Sequence, residues 1–479
     1  MPTPLTIAVA GATGFVGRHL CGLLRDRGHR VIGLGRSVPD GAQQDGLTWR
    51  RADLYRLRQT ERALAGADVV VYLVHSMMPG TRLQQGRFED LDLLLADNVG
   101  RAAAAVGARR IVYLGGLLPP VGGSSRHLDS RREVEEALAA HGVPVTTLRA
   151  GLVIGPHGSS FRILERLVTR LPGLVLPRWT RERTQPIALD DVLQLLARVS
   201  EVQAPRDEAI NVGGPEVLTY GDLIARTAKA MGLDRPLVPV PIGSPFFSEL
   251  WVTAVTGVPR QLTGPLIESL EHSMLAGDRT EQRALGVEGM GVDEALKRAL
   301  SGKVDAPDVR PPRGESSEGA RRDTVRSVQR MRLPAGWTAA DAARAYLDWL
   351  PRGLFPFLRV HEAADEGAAI ALRGLGLHLL VLRPDTLRST PDRAILTVVG
   401  GRLARPQDPQ IARLELRQVL DGRTLVAAVH DFEPSLPWLV YRLTQAPIHQ
   451  LVMHAFGAWL ARQKLQPSAQ GSYLAPVPR

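Results

Sequence analysis

The sequence predicts an α/β fold: a doubly wound parallel sheet carrying a small subdomain, followed by a separate α+β domain. Three observations predict it. First, the seven residues Gly11-Ala12-Thr13-Gly14-Phe15-Val16-Gly17 join an apolar run, Ile7-Ala8-Val9-Ala10, to the helical pattern of Leu20, Leu23 and Leu24. That is a strand, a tight turn and a helix start. Second, short apolar runs alternate with helical stretches up to about residue 150, as right-handed parallel crossovers require. Third, from about 368 to 432 the pattern turns to strands, and a strongly periodic helix follows.

In chain order, the glycines come first. Gly11 permits the turn, Gly14 lets backbone approach a pyrophosphate, and Gly17 allows close helix–strand packing, while the helix N-terminus offers donors and partial positive charge. The second strand, Arg30 to Gly35, ends at Arg36 and Ser37, with no acid before Asp40. A carboxylate there would hold ribose hydroxyls, whereas a guanidinium suits a 2′-phosphate, so NADP(H) is expected ahead of NAD(H). The pair Asp53-Leu54 ends the third strand. Residues Asp68 to Val74 form an almost continuous apolar run, fit for a strand buried on both faces, and lead to His75 and Ser76. Residues 83 to 106 read as a helix, Arg110 to Gly116 as the fifth strand and Val145 to Arg149 as the sixth.

The spacing Gly-x-x-Gly-x-x-Gly resembles the extended and atypical branches of the short-chain dehydrogenase/reductase superfamily, in particular the nitrogen-regulator-like NAD(P)-binding branch. The resemblance covers about residues 5 to 300. It extends to Gly151-Leu152-Val153-Ile154-Gly155-Pro156, to Gln185-Pro186 through Val192, and to Asn211-Val212-Gly213-Gly214-Pro215 with Leu218-Thr219-Tyr220. It implies a Rossmann-type domain over 1–301, with a substrate subdomain at about 151–300. It also implies that Asp53 and Leu54 lie near the adenine and that His75 lines the nicotinamide ribose. A packed or turn histidine accounts for His75 equally well.

In such reductases a Tyr-x-x-x-Lys pair and a preceding hydroxyl carry the acid–base work, because the Lys lowers the Tyr pKa. Here His127 and Arg131 stand at that spacing, and Gly115 and Gly116 stand where the hydroxyl is expected. Two readings follow. In one, Arg131 binds ribose and His127, with a reference pKa of ~6.5, shuttles the proton. In the other, His127 is a surface residue at a helix start and no proton relay survives.

Residues 302 to 329 read as an exposed linker rich in Pro, Gly, Ser and charge. The rear domain, 330–479, opens at Trp337 with a helix start at Thr338 and Asp341. Asp421-Gly422 signals a hairpin before Thr424 to Phe432. The last helix, from Pro447, carries Ile448, Leu451, Val452, Ala455, Phe456, Trp459 and Leu460 as one apolar stripe expected to pack on a curved sheet. A sheet closed by such a helix resembles the helix-grip fold of START-like domains, which implies a cavity for a small hydrophobic ligand.

Composition narrows the partners. The net charge is +10, but the arginines are scattered and aromatics make up only 5%, so no stacking platform for nucleic acid is expected. One cysteine, Cys21, excludes an internal disulfide and suits a reducing compartment, here read as the cytoplasm. No signal peptide and no run long enough to span a membrane is read, which leaves peripheral membrane contact open. His361-Glu362-Ala363-Ala364-Asp365 lacks the second histidine that zinc would need, and no metal site is expected. The functional expectation is an NADP(H)-binding oxidoreductase-like protein acting on a small hydrophobic carbonyl or quinone. The alternatives are a non-catalytic NADP(H) redox sensor and a hydrophobic-ligand carrier.

Overall fold

The computed structural model describes residues 4–463 apart from 45, 76–82, 120–124, 241–244, 258–263, 265–268, 313–323, 364–366, 406, 408–410 and 421. The chain divides into two units, Met1–Met77 with Leu95–Glu315, and Met78–Leu94 with Ser316–Arg479. Ser76, Ala364, Asp365 and Asp421, singled out above, and part of the 302–329 stretch lie outside the described residues.

The front unit is built on an 8-stranded sheet in the spatial order Glu208–Val212, Val145–Ala150, Arg110–Gly116, Val69–Tyr72, Thr6–Ala10, Arg30–Gly35, Leu47–Arg51 and Gln43–Gln44. Every neighbouring pair is parallel except the last. Val69–Tyr72 is buried at all four positions, as a strand covered on both faces must be. On one face the helices Phe15–Asp26 and Leu189–Glu201 bring Leu20, Leu24, Val192, Leu193, Leu196 and Val199 into one core. Each such side chain contributes roughly 1.5–3 kcal/mol on burial. Because the strands are parallel, their carboxyl ends share one edge, and chain order reverses at the first strand, which is where such sheets hold ligands. A second core gathers Phe161, Leu164, Val168, Trp179, Tyr220, Leu223 and Leu296.

The linker is shorter than its composition suggests. Val304, Ala306 and Val309 join the front core. The His19 ring nitrogen Nδ1 lies 3.0 Å from the Ala306 carbonyl, and the Val309 N–H donates to the Arg18 carbonyl at 3.3 Å. At the other end Val325–Arg332 is a strand, so residues 325–329 belong to the rear sheet. Polar composition marked the stretch as exposed, but its few apolar residues suffice to pin it.

The rear unit carries an 8-stranded sheet in the order Leu358–Ala363, Gly367–Leu372, His378–Pro384, Arg393–Gly400, Arg413–Val419, Thr424–Phe432, Val325–Arg332 and Leu83–Gln85. All pairs are antiparallel except the last, where Leu83, Gln84 and Gln85 run parallel to Val325, Arg326 and Ser327. The expected helix over 83 to 106 therefore starts only at Phe88, and its first residues are an edge strand. Gly86 takes φ +134° between them, where a Cβ would come within 2.6 Å of the Val328 carbonyl oxygen.

Two helices cover one face of this sheet. Ala339–Gly353 starts with a complete capping box between Thr338 and Asp341, as its sequence predicts. Gln445–Leu460 starts two residues before the expected position, leaving Pro447 in its first turn. Phe456 packs edge-on to Tyr346 at 5.1 Å and lies 5.5 Å from Trp349. Only part of the expected stripe is buried, however: Ile448 is 59% exposed and Leu451 is 69% exposed. On the opposite sheet face, alternating with Leu414 and Leu416, Glu415 is fully enclosed and pairs with Arg393 at 2.8 Å and Arg413 at 3.4 Å. Burial raises its pKa, yet Arg417, Arg393, His430 and Arg413 hold it well below the usual carboxylate range.

Candidate cofactor and substrate sites

The Gly loop is held by close contact. Gly11 takes φ +96°, and a Cβ there would lie 3.2 Å from Leu73. At Gly17 a Cβ would lie 2.1 Å from the Gly11 carbonyl oxygen, so no larger residue fits. Gly14 caps the helix Phe15–Asp26 without a side-chain hydrogen bond, and its first turn holds no acidic residue. The backbone donors at Phe15, Val16 and Gly17 therefore have no side-chain cap competing for them, which suits a pyrophosphate. Phe15 packs against the segment after Ala150: Cβ atoms at Gly155 and Gly158 would come within 2.9 and 3.0 Å of its ring.

Beside the loop, a Cβ on Gly35 would sit 2.9 Å from the Thr13 methyl, so the second strand ends against Thr13. Arg36 and Ser37 follow directly, both exposed. Asp53 is buried just past Leu47–Arg51. Its Oδ1 accepts from the Tyr55 N–H at 3.3 Å, and its own N–H donates to Gln59 Oε1 at 3.1 Å. The Leu54 carbonyl accepts from Asn98 Nδ2 at 2.8 Å. The backbone contacts of this pair thus shape the turn.

The structure brings His75, His127 and Arg131 together. Burial pushes the His127 pKa down to about 3, with the charges of Arg131 and then His75 adding to the effect. Arg131 is buried, and a Cβ on Gly116 would meet its Cγ at an ordinary 3.5 Å. His127 is accordingly neither a surface residue nor a group titrating near ~6.5. Its resting form is a neutral imidazole beside a fixed guanidinium, able to donate or accept a hydrogen bond but not to supply an imidazolium proton.

His127 lines a pocket of about 160 Å³, with Gly116 and Gly151 at the strand ends and Leu164, Trp179, Tyr220 and Met274 among its other walls. The lining is mostly hydrocarbon. Trp179 Nε1 is buried with no hydrogen-bond partner among the described residues, and burial pushes the Tyr220 phenol up to about 12, keeping it neutral. Ser269 Oγ lies 3.1 Å from Ser125 Oγ, which also accepts from the Leu128 N–H at the start of the helix Arg126–Ala139. Trp179 and Ser269 were not singled out from the sequence, and Tyr220 only as part of the Leu218-Thr219-Tyr220 segment. They are far apart in the chain and share no short motif.

The segments that support the resemblance are knitted together around this pocket. Gln185 Nε2 donates to the Gly214 carbonyl at 2.9 Å, and Gln185 Oε1 accepts from the Ala276 N–H at 2.9 Å. Ile187–Ala188 pairs in parallel with Val153–Ile154. Among the described residues no group of three or more His, Cys, Asp or Glu is arranged to hold a metal, and no helix is long and apolar enough to cross a membrane.

An uncharacterized protein of Mycobacterium tuberculosis is 32% identical over 243 residues, covering 50% of this chain and 24% of that one. This chain thus spans about a quarter of that relative's length. The 2-alkyl-3-oxoalkanoate reductase of Stenotrophomonas maltophilia is 32% identical over 109 residues, covering 23% of this chain and 32% of that one. The NADPH-dependent quinone oxidoreductase of Escherichia coli, solved with NADPH, superposes with a TM-score of 0.48 at 20% identity, over 61% of this chain and 99% of that one. Residues 7–123, which contain the Gly loop, Arg36, Asp53 and His75, match the NAD dependent epimerase/dehydratase family.

Proposed function

We propose that the front unit binds NADP(H) and acts as an oxidoreductase of the atypical short-chain type on a small hydrophobic carbonyl or quinone. The observation that carries this reading is the apolar pocket at the carboxyl ends of the parallel strands, with His127, Arg131 and His75 at the edge it shares with the Gly loop. The bound cofactor supplies a hydride. Gly11, Thr13, Gly14, Phe15, Val16 and Gly17 hold its pyrophosphate, Arg36 and Ser37 its 2′-phosphate, and Asp53 and Leu54 border the adenine. Arg131 holds the ribose, and His127 orients the substrate oxygen by a hydrogen bond. The similarity to the 2-alkyl-3-oxoalkanoate reductase supports a carbonyl substrate. The test is transfer of labelled hydride from NADPH to a panel of alkyl ketones and quinones. Stereospecific transfer supports the reading, and NADPH binding with no transfer to any acceptor defeats it.

The second reading is a non-catalytic NADP(H) sensor. It draws on the missing Tyr-x-x-x-Lys pair and on the His127 pKa of about 3. For the rear domain, about 330–479, we propose a helix-grip carrier of a hydrophobic ligand. This is supported by a cavity of about 580 Å³ lined by residues of its sheet and its two helices, within the range of sites that enclose a whole small molecule.

A further inference from the structure

The rear cavity is walled mainly by hydrocarbon, including Leu350, Leu380, Val398, Phe432 and Val452, and among the described residues no Arg, Lys, Asp or Glu lines it. Two polar side chains of that lining come from one turn of the last helix. Gln445 Oε1 and His449 Nε2 are sealed from solvent with no hydrogen-bond partner among the described residues. The residues are four apart, so their side chains meet on one face of Gln445–Leu460. Both line the cavity. Thr444 Oγ1 donates to the Val440 carbonyl at 2.6 Å and Ser327 Oγ accepts from Gln329 Nε2 at 2.6 Å, while the Tyr346 and Tyr441 phenols, which also line the cavity, are kept neutral by burial. Burial pushes His449 down to about 4, so the imidazole is neutral at physiological pH.

An apolar cavity has no reason to keep two unmatched polar atoms, because each loses hydration without a return. The last helix could bury leucine at both positions. We propose that His449 and Gln445 form the head-group subsite of the rear cavity, and that its ligand is an uncharged hydrophobe ending in a hydroxyl. This rests on the carrier reading of the rear domain and deepens it. Gln445 Oε1 only accepts, so the head must donate. The neutral His449 ring donates or accepts at Nε2 according to its tautomer, so the same hydroxyl satisfies both atoms. An ether or ketone leaves Gln445 Oε1 unpaired. A carboxylate brings a charge into a lining without a cation.

The full-length protein is titrated by calorimetry with three probes of equal chain length: dodecanol, dodecyl methyl ether and dodecanoate. Dodecanol is expected to bind at least roughly tenfold more tightly than either of the others, the ratio one well-made buried hydrogen bond supplies. In Gln445→Leu the alcohol and the ether should bind alike, because the His449 ring N–H can donate to either oxygen, and in His449→Leu the preference should narrow, with affinity for the ether retained in both. NADPH binding, measured in the same samples, reports whether the front unit remains intact. If alcohol and ether bind the wild type equally, the head-group assignment is overturned and the carrier reading survives. If no probe binds the wild type, both are overturned. Should one variant fail to fold, the other variant and the wild-type probe series still decide the matter.

Discussion

The two cavities each hold one half-buried histidine whose pKa is pushed far down, and the surroundings that do so differ. His127 is depressed by burial and then by the charges of Arg131 and His75. His449 is depressed by burial alone. In the front unit a guanidinium is kept in a dry place at the end of a parallel sheet, where it can meet charge on a ligand. In the rear unit the polar atoms are few and uncharged, and the volume is several times greater. The proposed functions assign the first site to a charged cofactor and the second to a neutral molecule, in keeping with this difference.

The largest expected effect is at Gly17. Replacement by Ala puts a Cβ 2.1 Å from the Gly11 carbonyl, an overlap that backbone must relieve. NADPH affinity should fall at least ~100-fold, at a cost of roughly 3 kcal/mol or more. Probe binding in the rear unit should persist, and its loss in Gly17→Ala would show that the two sites are not separable.

Next comes the pH dependence. An unfolded imidazole takes up its proton near ~6.5, whereas His449 in the fold does so only at about 4. Below ~6.5 the unfolded state binds more protons than the native state, so stability falls as pH drops from ~6.5 towards 4. At about 1.4 kcal/mol per unit, His449 accounts for roughly 3 kcal/mol of that fall. His449→Leu should keep this increment, measured by urea unfolding at neutral and acidic pH. An unchanged acid loss in the variant would mean that His449 is not buried neutral. His127 follows the same sign, but Arg131→Gln should raise its pKa, as NMR titration of its ring would report, and leave His449 unmoved.

Arg36→Asp should remove a preference for NADPH over NADH of roughly 1–3 kcal/mol, the range for a charge-assisted phosphate contact. Equal affinities for both cofactors in the wild type would defeat that assignment. The smallest structural effect is at Gly116. A Cβ there meets only ordinary contacts, at 3.5 Å to Arg131 and 3.7 Å to Leu128, whereas at Gly115 it would press on Tyr113 at 3.0 Å. Gly116→Ser should cost less than about 1 kcal/mol in unfolding measurements and return a hydroxyl to the pocket wall. Under the oxidoreductase reading, turnover of alkyl ketones then rises.

How much of this could be read from the sequence depended on the distance over which each feature is determined. The Gly11–Gly17 turn and the Thr338–Asp341 cap are fixed by neighbours within a few residues, and local pattern identified them. The edge strand Leu83–Gln85 exists only because Val325–Ser327 lies beside it, and nothing in three residues announces a partner so remote. The apolar spacing of the last helix was plain, but periodicity does not distinguish a core from a hole. Ile448 and Leu451 line the cavity while remaining exposed, which only the fold reveals. The same holds for His127: the motif put it in register with a missing tyrosine, but its burial came from elements far along the chain.

The strand Leu83–Gln85 also constrains how the polypeptide comes into being. It is made early, yet its sheet partner Val325–Ser327 lies 242 residues further on, and Gln85 Nε2 additionally donates to the Ala446 carbonyl at 3.2 Å. During synthesis this segment must wait, unpaired, until Val325–Ser327 has emerged, and long sequence separation of that kind slows folding. A cut in the stretch between the two units would not release the rear sheet whole, because one strand would stay behind. Cut off from Leu83–Gln85 the rear sheet lacks a strand, so a rear fragment beginning at residue 327 should be less stable than the same residues within the full chain.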